Sequence, residues 1–494
     1  MKRGAAAVLA ALVLSLPALA RAEAEQERFG AGGYFRLMTR PDFQGGDSRL
    51  GYWNLYGRLL NEGPWAALET RLNLIDHPAH GEPWAALHAK IEGGSVAGAD
   101  PRGGALSQFN LTQLYVEAGN VGLRDVTWRM GTLDTWFGDL ALYDMKPTEV
   151  FYQTIGASAR YRAHHVDAMI GFGDSGYAIR KLDYDTIFTA GGLARASFDH
   201  FEIGAGGEYL YEPKVVGNRF APMSTPGVSY DAFVRQEVAQ DWMLAHPGQQ
   251  LEFPRPVPTS STSWKGVGYL GFGHLGPLRW NNVFANVERR HPDNFYTETY
   301  QGQTFTIFTH DLTDQRYQIN VGNEAYLSII PDRLDAIWGV LYGYWWDGDN
   351  HLAPSDNARA FRSTVVRLQY YLSHTVHLLG ESSAAREKSL NGNAYRNHYD
   401  SIFQNTNGLP DTRGLQFGDS DTRDTWQGKI GVVLNPLGAG IMTRPSLRIL
   451  YGMQWSSQNA AFGNSFVQNL DQYNQFGGHE QHWHQVLGVE AEAW

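Results

Sequence analysis

Apolar and polar positions alternate through most of this chain. From Trp65 to Leu74, one face carries Ala66, Leu68, Thr70, Leu72 and Leu74, and the other carries Ala67, Glu69, Arg71 and Asn73. From Ser446 to Ser456, Leu447, Ile449, Tyr451, Met453 and Trp455 oppose Ser446, Arg448, Gly452 and Gln454. From Thr364 to Leu372, Val366, Leu368, Tyr370 and Leu372 oppose Val365, Arg367, Gln369 and Tyr371, and Tyr317, Ile319 and Val321 oppose Gln318, Asn320 and Gly322. Neighbouring residues of a strand point to opposite faces, so each segment is a strand with one apolar and one polar face. A soluble β-sandwich alternates in the same way. Two features favour a membrane barrel. The segments run to about ten residues, long for a sandwich but right for a tilted bilayer crossing. The polar faces repeat Arg and Glu, as a watered lumen requires, while the apolar faces end in aromatics such as Tyr370, Tyr451 and Trp455. The pattern predicts an all-β fold, a transmembrane antiparallel β-barrel of about 18 strands with short turns at one rim and long loops at the other. The candidate long loops are Glu212 to Tyr230, His246 to Ser263 and Ser389 to Thr425.

The start of the chain fixes its compartment. Lys2 and Arg3 precede an apolar run, Ala5 to Leu19, broken only by Ser15 and Pro17, and Ala20-Arg21-Ala22 follows. A positive region, a short apolar region and an A-x-A site make residues 1–22 a secretory signal peptide, leaving 23–494 as a single barrel domain. No later apolar run reaches the roughly 18 residues of a membrane-spanning helix. The expected location is the bacterial outer membrane, with its lipid as a partner. Composition agrees: 55 Gly, 25 Tyr, 24 Phe and 15 Trp accompany a hydrophobic content of only 43%.

The same counts exclude other chemistries. Without cysteine there is no disulfide scaffold, thiolate metal site or cysteine nucleophile. A net charge of −11 with no basic stripe argues against nucleic acid. His479-Glu480-Gln481-His482-Trp483-His484 is one residue short of a helical zinc motif, and Asp347-Gly348-Asp349-Asn350 lacks the closing glutamate of a calcium loop. No nucleophile elbow, phosphate loop or dinucleotide fingerprint occurs. The expectation is a protein that is not an enzyme and uses neither metal nor cofactor.

Four stretches resemble the maltoporin family of sugar-specific porins. Gly33-Tyr34-Phe35-Arg36 is similar to that family's opening G-Y-x-R strand, and Arg49-Leu50-Gly51 to its R-L-G at the head of the second strand. Arg444-Pro445-Ser446-Leu447-Arg448-Ile449, with Tyr451 and Trp455, resembles the penultimate strand, and Gly488 to Trp494 resembles the close. The resemblance is specific over about a third of the chain, at its two ends. It implies an 18-stranded homotrimer that carries oligosaccharides inward past a line of aromatics, with ionisable residues meeting the hydroxyls. Sugars suit such a lining, because their C–H faces stack on aromatic rings and their hydroxyls need polar partners. The resemblance makes Tyr34, Arg36, Arg49, Tyr56 and Trp494 lumen residues that contact substrate. Alternation places Asn54, Tyr56 and Arg58 together on the polar side of a second strand, which adds Arg58.

Departures separate the architecture from the particular sugar. Arg58 stands where the family has glutamate, Thr112 and Phe137 where it has arginine, and Lys146 where it has a constriction tyrosine. Trp494 shares parity with Glu490 and Glu492, so it is expected to face the lumen, and the usual lipid-facing terminal aromatic is missing. Gly131 to Pro147 matches the family's inward loop. Its residues Trp136, Phe137, Asp139, Tyr143 and Asp144 are expected to form a constriction, with aromatics pinning the loop to the wall and carboxylates narrowing the opening. The rival readings are an arginine-lined polysaccharide-export barrel of the alginate-porin type, a general porin, and an adhesin presented on a closed barrel.

Overall fold

The computed structural model describes residues 28–41, 53–75, 81–94, 109–176, 186–213, 260–290, 295–300, 303–308, 316–347, 359–390, 422–457 and 482–494. Residues 1–22, Arg49 and most of the three candidate long loops lie outside the described residues. The first ten strands are β1 (Phe29–Thr39), β2 (Trp65–Ile75), β3 (Trp84–Gly94), β4 (Phe109–Gly119), β5 (Val126–Thr132), β6 (Ile155–Ala163), β7 (Val166–Asp174), β8 (Phe188–Ser197), β9 (Phe201–Glu212) and β10 (Ser261–Leu275). The second ten are β11 (Leu278–Arg290), β12 (Phe295–Tyr300), β13 (Gln303–Phe308), β14 (Arg316–Ile330), β15 (Leu334–Asp347), β16 (Arg359–Tyr371), β17 (Val376–Ser389), β18 (Thr422–Leu434), β19 (Ser446–Ser456) and β20 (Trp483–Ala493). A single turn of helix, α1 (Trp53–Tyr56), lies between β1 and β2.

Eighteen strands form one antiparallel sheet. Each pairs with its sequence neighbour, β11 pairs with β14, and β20 returns to β1 with Phe35 opposite Ala493 and Thr39 opposite Val489. The sheet is therefore a closed barrel without free edges, the form in which strands satisfy their backbone inside lipid. β12 and β13 make a separate hairpin in the β11–β14 connection. Turns at 120–125, 164–165, 276–277 and 331–333 join strands at one rim, and β1 starts and β20 ends there. Longer connections, such as 213–260 and 390–421, leave the other rim. In barrels of this kind the short turns face the periplasm.

The predicted alternation holds strand by strand. In β16, Val366, Leu368 and Tyr370 are exposed while Val365, Arg367 and Gln369 are buried. β19 has the predicted limits, with Leu447 and Ile449 outward and Ser446 and Arg448 inward. The exterior carries large apolar side chains all round, among them Leu68, Phe172 and Ile430, with Met130 and Ile170 more than 70% exposed. Only lipid makes such a surface favourable, so the chain is an integral barrel of the bacterial outer membrane.

One predicted strand is absent. Residues 53–62 form α1 and a turn, and the second strand is Trp65–Ile75. The short alternation around Tyr56 is also compatible with one helical turn. Here that segment folds inside the barrel, where an amphipathic strand has no partner to pair with.

Candidate constriction site

Two segments enter the lumen from the long-loop rim. The first is 133–154, between β5 and β6, which contains the predicted inward loop. Leu133, Phe137, Leu140, Leu142, Tyr143, Val150 and Phe151 are all buried against the inner wall. Phe137 lies against Tyr269 of β10, ring centres 5.3 Å apart, and Tyr269 packs on Phe284 of β11. Glycines make room for the aromatics. A Cβ on Gly204 would sit 2.7 Å from the Phe137 ring, and one on Gly339 would sit 2.8 Å from the Tyr143 ring. A loop crossing a lumen still has backbone groups to satisfy. Wall side chains supply partners: Glu324 accepts from the N–H groups of Ala141 and Leu142 at 3.0 and 2.7 Å, Glu208 accepts from Phe151 at 2.6 Å, and Asn286 donates to the Pro147 carbonyl at 3.1 Å.

The second segment is 53–64, where Leu55, Tyr56, Leu59 and Leu60 are buried in apolar clusters and charged side chains hold the backbone. Lys429 of β18 donates to the Tyr56 carbonyl at 3.0 Å, Arg36 donates to the Gly63 carbonyl at 2.8 Å, and Glu490 accepts from the Leu60 N–H at 2.6 Å. Glu62 is ion-paired with both Arg36 and Arg58, the latter at 3.0 Å. The two segments bond directly, because the Arg58 N–H donates to the Leu142 carbonyl at 3.0 Å. From the periplasmic rim, turn 435–445 adds Ile441 to the same apolar cluster, with Met442 packed against it.

A small cavity lies where the three elements meet. Arg36, Arg58, Arg367, Arg444 and Arg448 line it together with Glu62, Glu490 and Glu492. Glu492 is the hub, with Arg444 at 2.6 Å, Arg448 at 2.7 Å and Arg58 at 3.6 Å. Burial and the neighbouring Arg448 push the Arg444 guanidinium down to about 10. Burial and Asp144, hydrogen-bonded to it, push Glu62 up to about 7 against the pull of Arg58 and Arg36. Asp144 moves the other way: burial raises it, but Arg58, the bond to Glu62 and Arg36 together hold it below its ordinary value. Asp139 is raised by burial and by Asp144. Asp139 and Asp144 keep solvent-exposed edges, and both lie within the field of the Arg58 guanidinium on the second segment, Asp144 also within that of Arg36 on the wall.

The sequence-predicted residues divide accordingly. Tyr34, Arg36, Arg58 and Trp494 come together. Tyr34 donates to Glu492 at 3.0 Å and accepts from Arg36 and Arg58 at 3.2 and 3.3 Å. Its ring stacks with Trp494 at 6.3 Å, and Trp494 stays 66% exposed with Arg444 over its face at 5.2 Å. Tyr56 does not join them. It is fully buried, donating to Glu387 at 3.0 Å and accepting from Arg423 at 3.2 Å, so its ring offers no open face to a solute. Phe137 and Tyr143 are buried anchors, and Trp136 is half-buried under the Lys146 ammonium at 3.6 Å.

Sequence reasoning missed Glu62, Glu381, Glu387, Arg423 and Lys429. The last four share the lumen parity of β17 and β18, so alternation carried that signal. Glu62 lies in no periodic element and had none.

No protein-family model matches the chain, and no curated protein is significantly similar to it. Solved structures similar to it include OccAB1 of Acinetobacter baumannii, at 9% identity and a TM-score of 0.45 over 96% of this chain and 98% of that one. The outer membrane protein OprD of Pseudomonas aeruginosa shows 8% identity and a TM-score of 0.43 over 96% and 95%. The outer membrane channel DcaP of Acinetobacter baumannii shows 12% identity and a TM-score of 0.41 over 74% and 94%. These similarities identify no solute for this chain.

Proposed function

We propose that this barrel is a passive outer-membrane channel, and that saccharides are the solutes its constriction accepts. The observation that carries the proposal is the pairing of loop carboxylates Asp139 and Asp144 with the Arg58 guanidinium, which also bonds Tyr34, whose ring stacks with the exposed Trp494. A hydroxyl both donates and accepts, so a sugar can bond to both walls while its C–H face rests on the tryptophan. Weak, exchangeable contacts of this kind let a solute enter and leave. The aromatic track is short, a Tyr34–Trp494 pair, because Tyr56 is spent on packing.

A second reading has its own support. The convergence of Arg36, Arg58, Arg367, Arg444 and Arg448 on one cavity favours an acidic saccharide over a neutral one, as in an export barrel for an acidic polymer. Single-channel conductance in a planar bilayer, titrated with a neutral and then an acidic oligosaccharide, tests both readings. Saturable block by the neutral sugar, weakened in Trp494→Ala, supports the first. Block by the acidic sugar alone, lost in Arg444→Ala, supports the second. Conductance that neither ligand alters would leave a general porin, and an absence of channels would overturn the proposal.

A further inference from the structure

The outer wall over β16, β17 and β18 departs from the rest of the exterior. Arg362 and Arg386 are direct cross-strand partners, and both lie on the outward side, because the inward positions are the buried Ser363, Arg367, Glu381 and Glu387. Like charges directly opposite one another are unfavourable, and more so at the edge of a bilayer. Asp424, opposite Arg386 on β18, takes that arginine in a two-pronged pair at 2.5 and 2.7 Å. Arg362 has Tyr342 on its other side, and no described carboxylate forms an ion pair with it. Among the described residues, two outward cations thus have one carboxylate between them, and it pairs with Arg386 alone, on a surface made for lipid.

Below these arginines the wall is concave. A depression of about 470 Å³ contains Arg362, Arg386 and Asp424 with Trp426 and Trp455 at its side. It adjoins, at Trp426, an apolar depression of about 340 Å³ floored by Gly380 between Val366, Leu368 and Ile430, with the Trp426 ring lying over Gly428 as its side. A Cβ on Gly380 would meet nothing within 4 Å, so the floor is open there. Arg362 to Leu368 spans about 20 Å of strand, or about 15 Å of depth at the usual tilt, which is one leaflet of the hydrocarbon core. The arginines lie near the long-loop ends of β16 and β17, so the leaflet is the outer one.

We propose that this groove binds a phosphorylated, acylated lipid of the outer leaflet, of the lipid A type. An acyl chain would lie over Gly380 against the Trp426 ring, and a phosphate would lie between Arg362 and Arg386. Phosphate supplies the anionic oxygens that a pair of guanidiniums needs, in the forked geometry arginine favours. It would remove the repulsion that the fold by itself leaves between the two side chains. The site is on the exterior and does not depend on what crosses the lumen.

Titration of the detergent-folded full-length barrel with lipid A, followed by native mass spectrometry, tests the proposal. The wild type should retain lipid A, and a dephosphorylated lipid A should bind about tenfold more weakly or worse. Arg362→Ala with Arg386→Ala should weaken lipid A binding by a similar factor, while the double lysine variant, which keeps the charge and guards against a folding artefact, should recover part of it. Gly380→Leu, which fills the groove without touching the arginines, should also weaken retention. Equal binding by the wild type, the alanine double variant and Gly380→Leu would overturn the proposal. So would equal retention of phosphate-free lipid. If Gly380→Leu altered the oligomeric state and left lipid binding unchanged, the occupant would be a second copy of the chain and the proposal would fail.

Discussion

The two segments inside this barrel share one apolar cluster and differ in what is added to it. The loop 133–154 is fixed by aromatic packing, with Phe137 on Tyr269 and Tyr143 over Gly339, and its backbone is satisfied by wall side chains. The segment 53–64 adds to its buried Leu55 and Tyr56 a set of charged ties, with Glu62 between Arg36 and Arg58, and Lys429 and Glu490 on its backbone. Apolar burial is indifferent to proton and salt, whereas a buried ion pair is sensitive to both and costs much when half of it is lost. One barrel therefore carries an inward loop anchored chiefly by packed rings beside a segment tied by ion pairs, and the second should respond more strongly to pH.

The largest test of that difference is Phe137→Ala. Removing the buried ring should weaken docking of 133–154 by about 3–5 kcal/mol, seen as faster hydrogen exchange in that loop and a higher single-channel conductance. Exchange in 53–64, which Lys429, Arg36 and Glu490 also hold, should change less. Equal loosening of both segments would show that the aromatic cluster holds the whole plug.

Next comes Glu62→Ala. It leaves Arg36 and Arg58 without their shared carboxylate and should cost the 53–64 segment about 1–3 kcal/mol. The pore should become more anion-selective, read as a shift in reversal potential under a salt gradient. An unchanged reversal potential would mean that Glu62 does not face the permeation path.

pH is the third test. Glu62 is raised from an ordinary 4.5 to about 7. A raised carboxyl binds its proton more tightly in the docked segment than in a free one. Its contribution is therefore complete below 4.5 and is lost as pH climbs through about 7. Exchange in 53–64 should speed up over that interval, and Glu62→Gln should flatten the response. Asp144, held low, acts in the opposite sense, its contribution being lost only as pH falls below its ordinary 3.8. A flat exchange profile between pH 4.5 and 7 in the wild type would remove the contrast between the two segments.

The smallest effect is expected outside both. Arg124 lies on an exposed periplasmic turn, 3.9 Å from Asp125, and Arg124→Ala should change thermal stability by less than about 0.5 kcal/mol.

Much of this was legible before any coordinate. Period-two alternation located β2, β14, β16 and β19, since one lipid face and one wet face leave a strand no other pattern. The inward loop was visible because Trp136, Phe137 and Tyr143 are too aromatic for a surface turn. Tyr56 misled because a few alternating residues fit a strand and a helical turn equally well, and nothing local says that Lys429 and Glu387 wait inside the barrel to receive the segment. Glu62 gave no signal at all, because its partners lie on β1 and in its own turn, not at a fixed spacing along a periodic element.

The sequence by itself determined the barrel, its approximate strand number, the direction each strand residue faces and the entry of one loop into the lumen. These follow from local periodicity and from the demand that every backbone group in a membrane be paired. Only the tertiary structure decided that a second segment enters beside the first, that Trp494 rests on Tyr34, and that five arginines from β1, β16, β19 and two turns converge on one cavity. Closure of β20 onto β1 brings residues from the two ends of the chain within bonding distance, and contacts of that separation leave no periodic trace in a sequence.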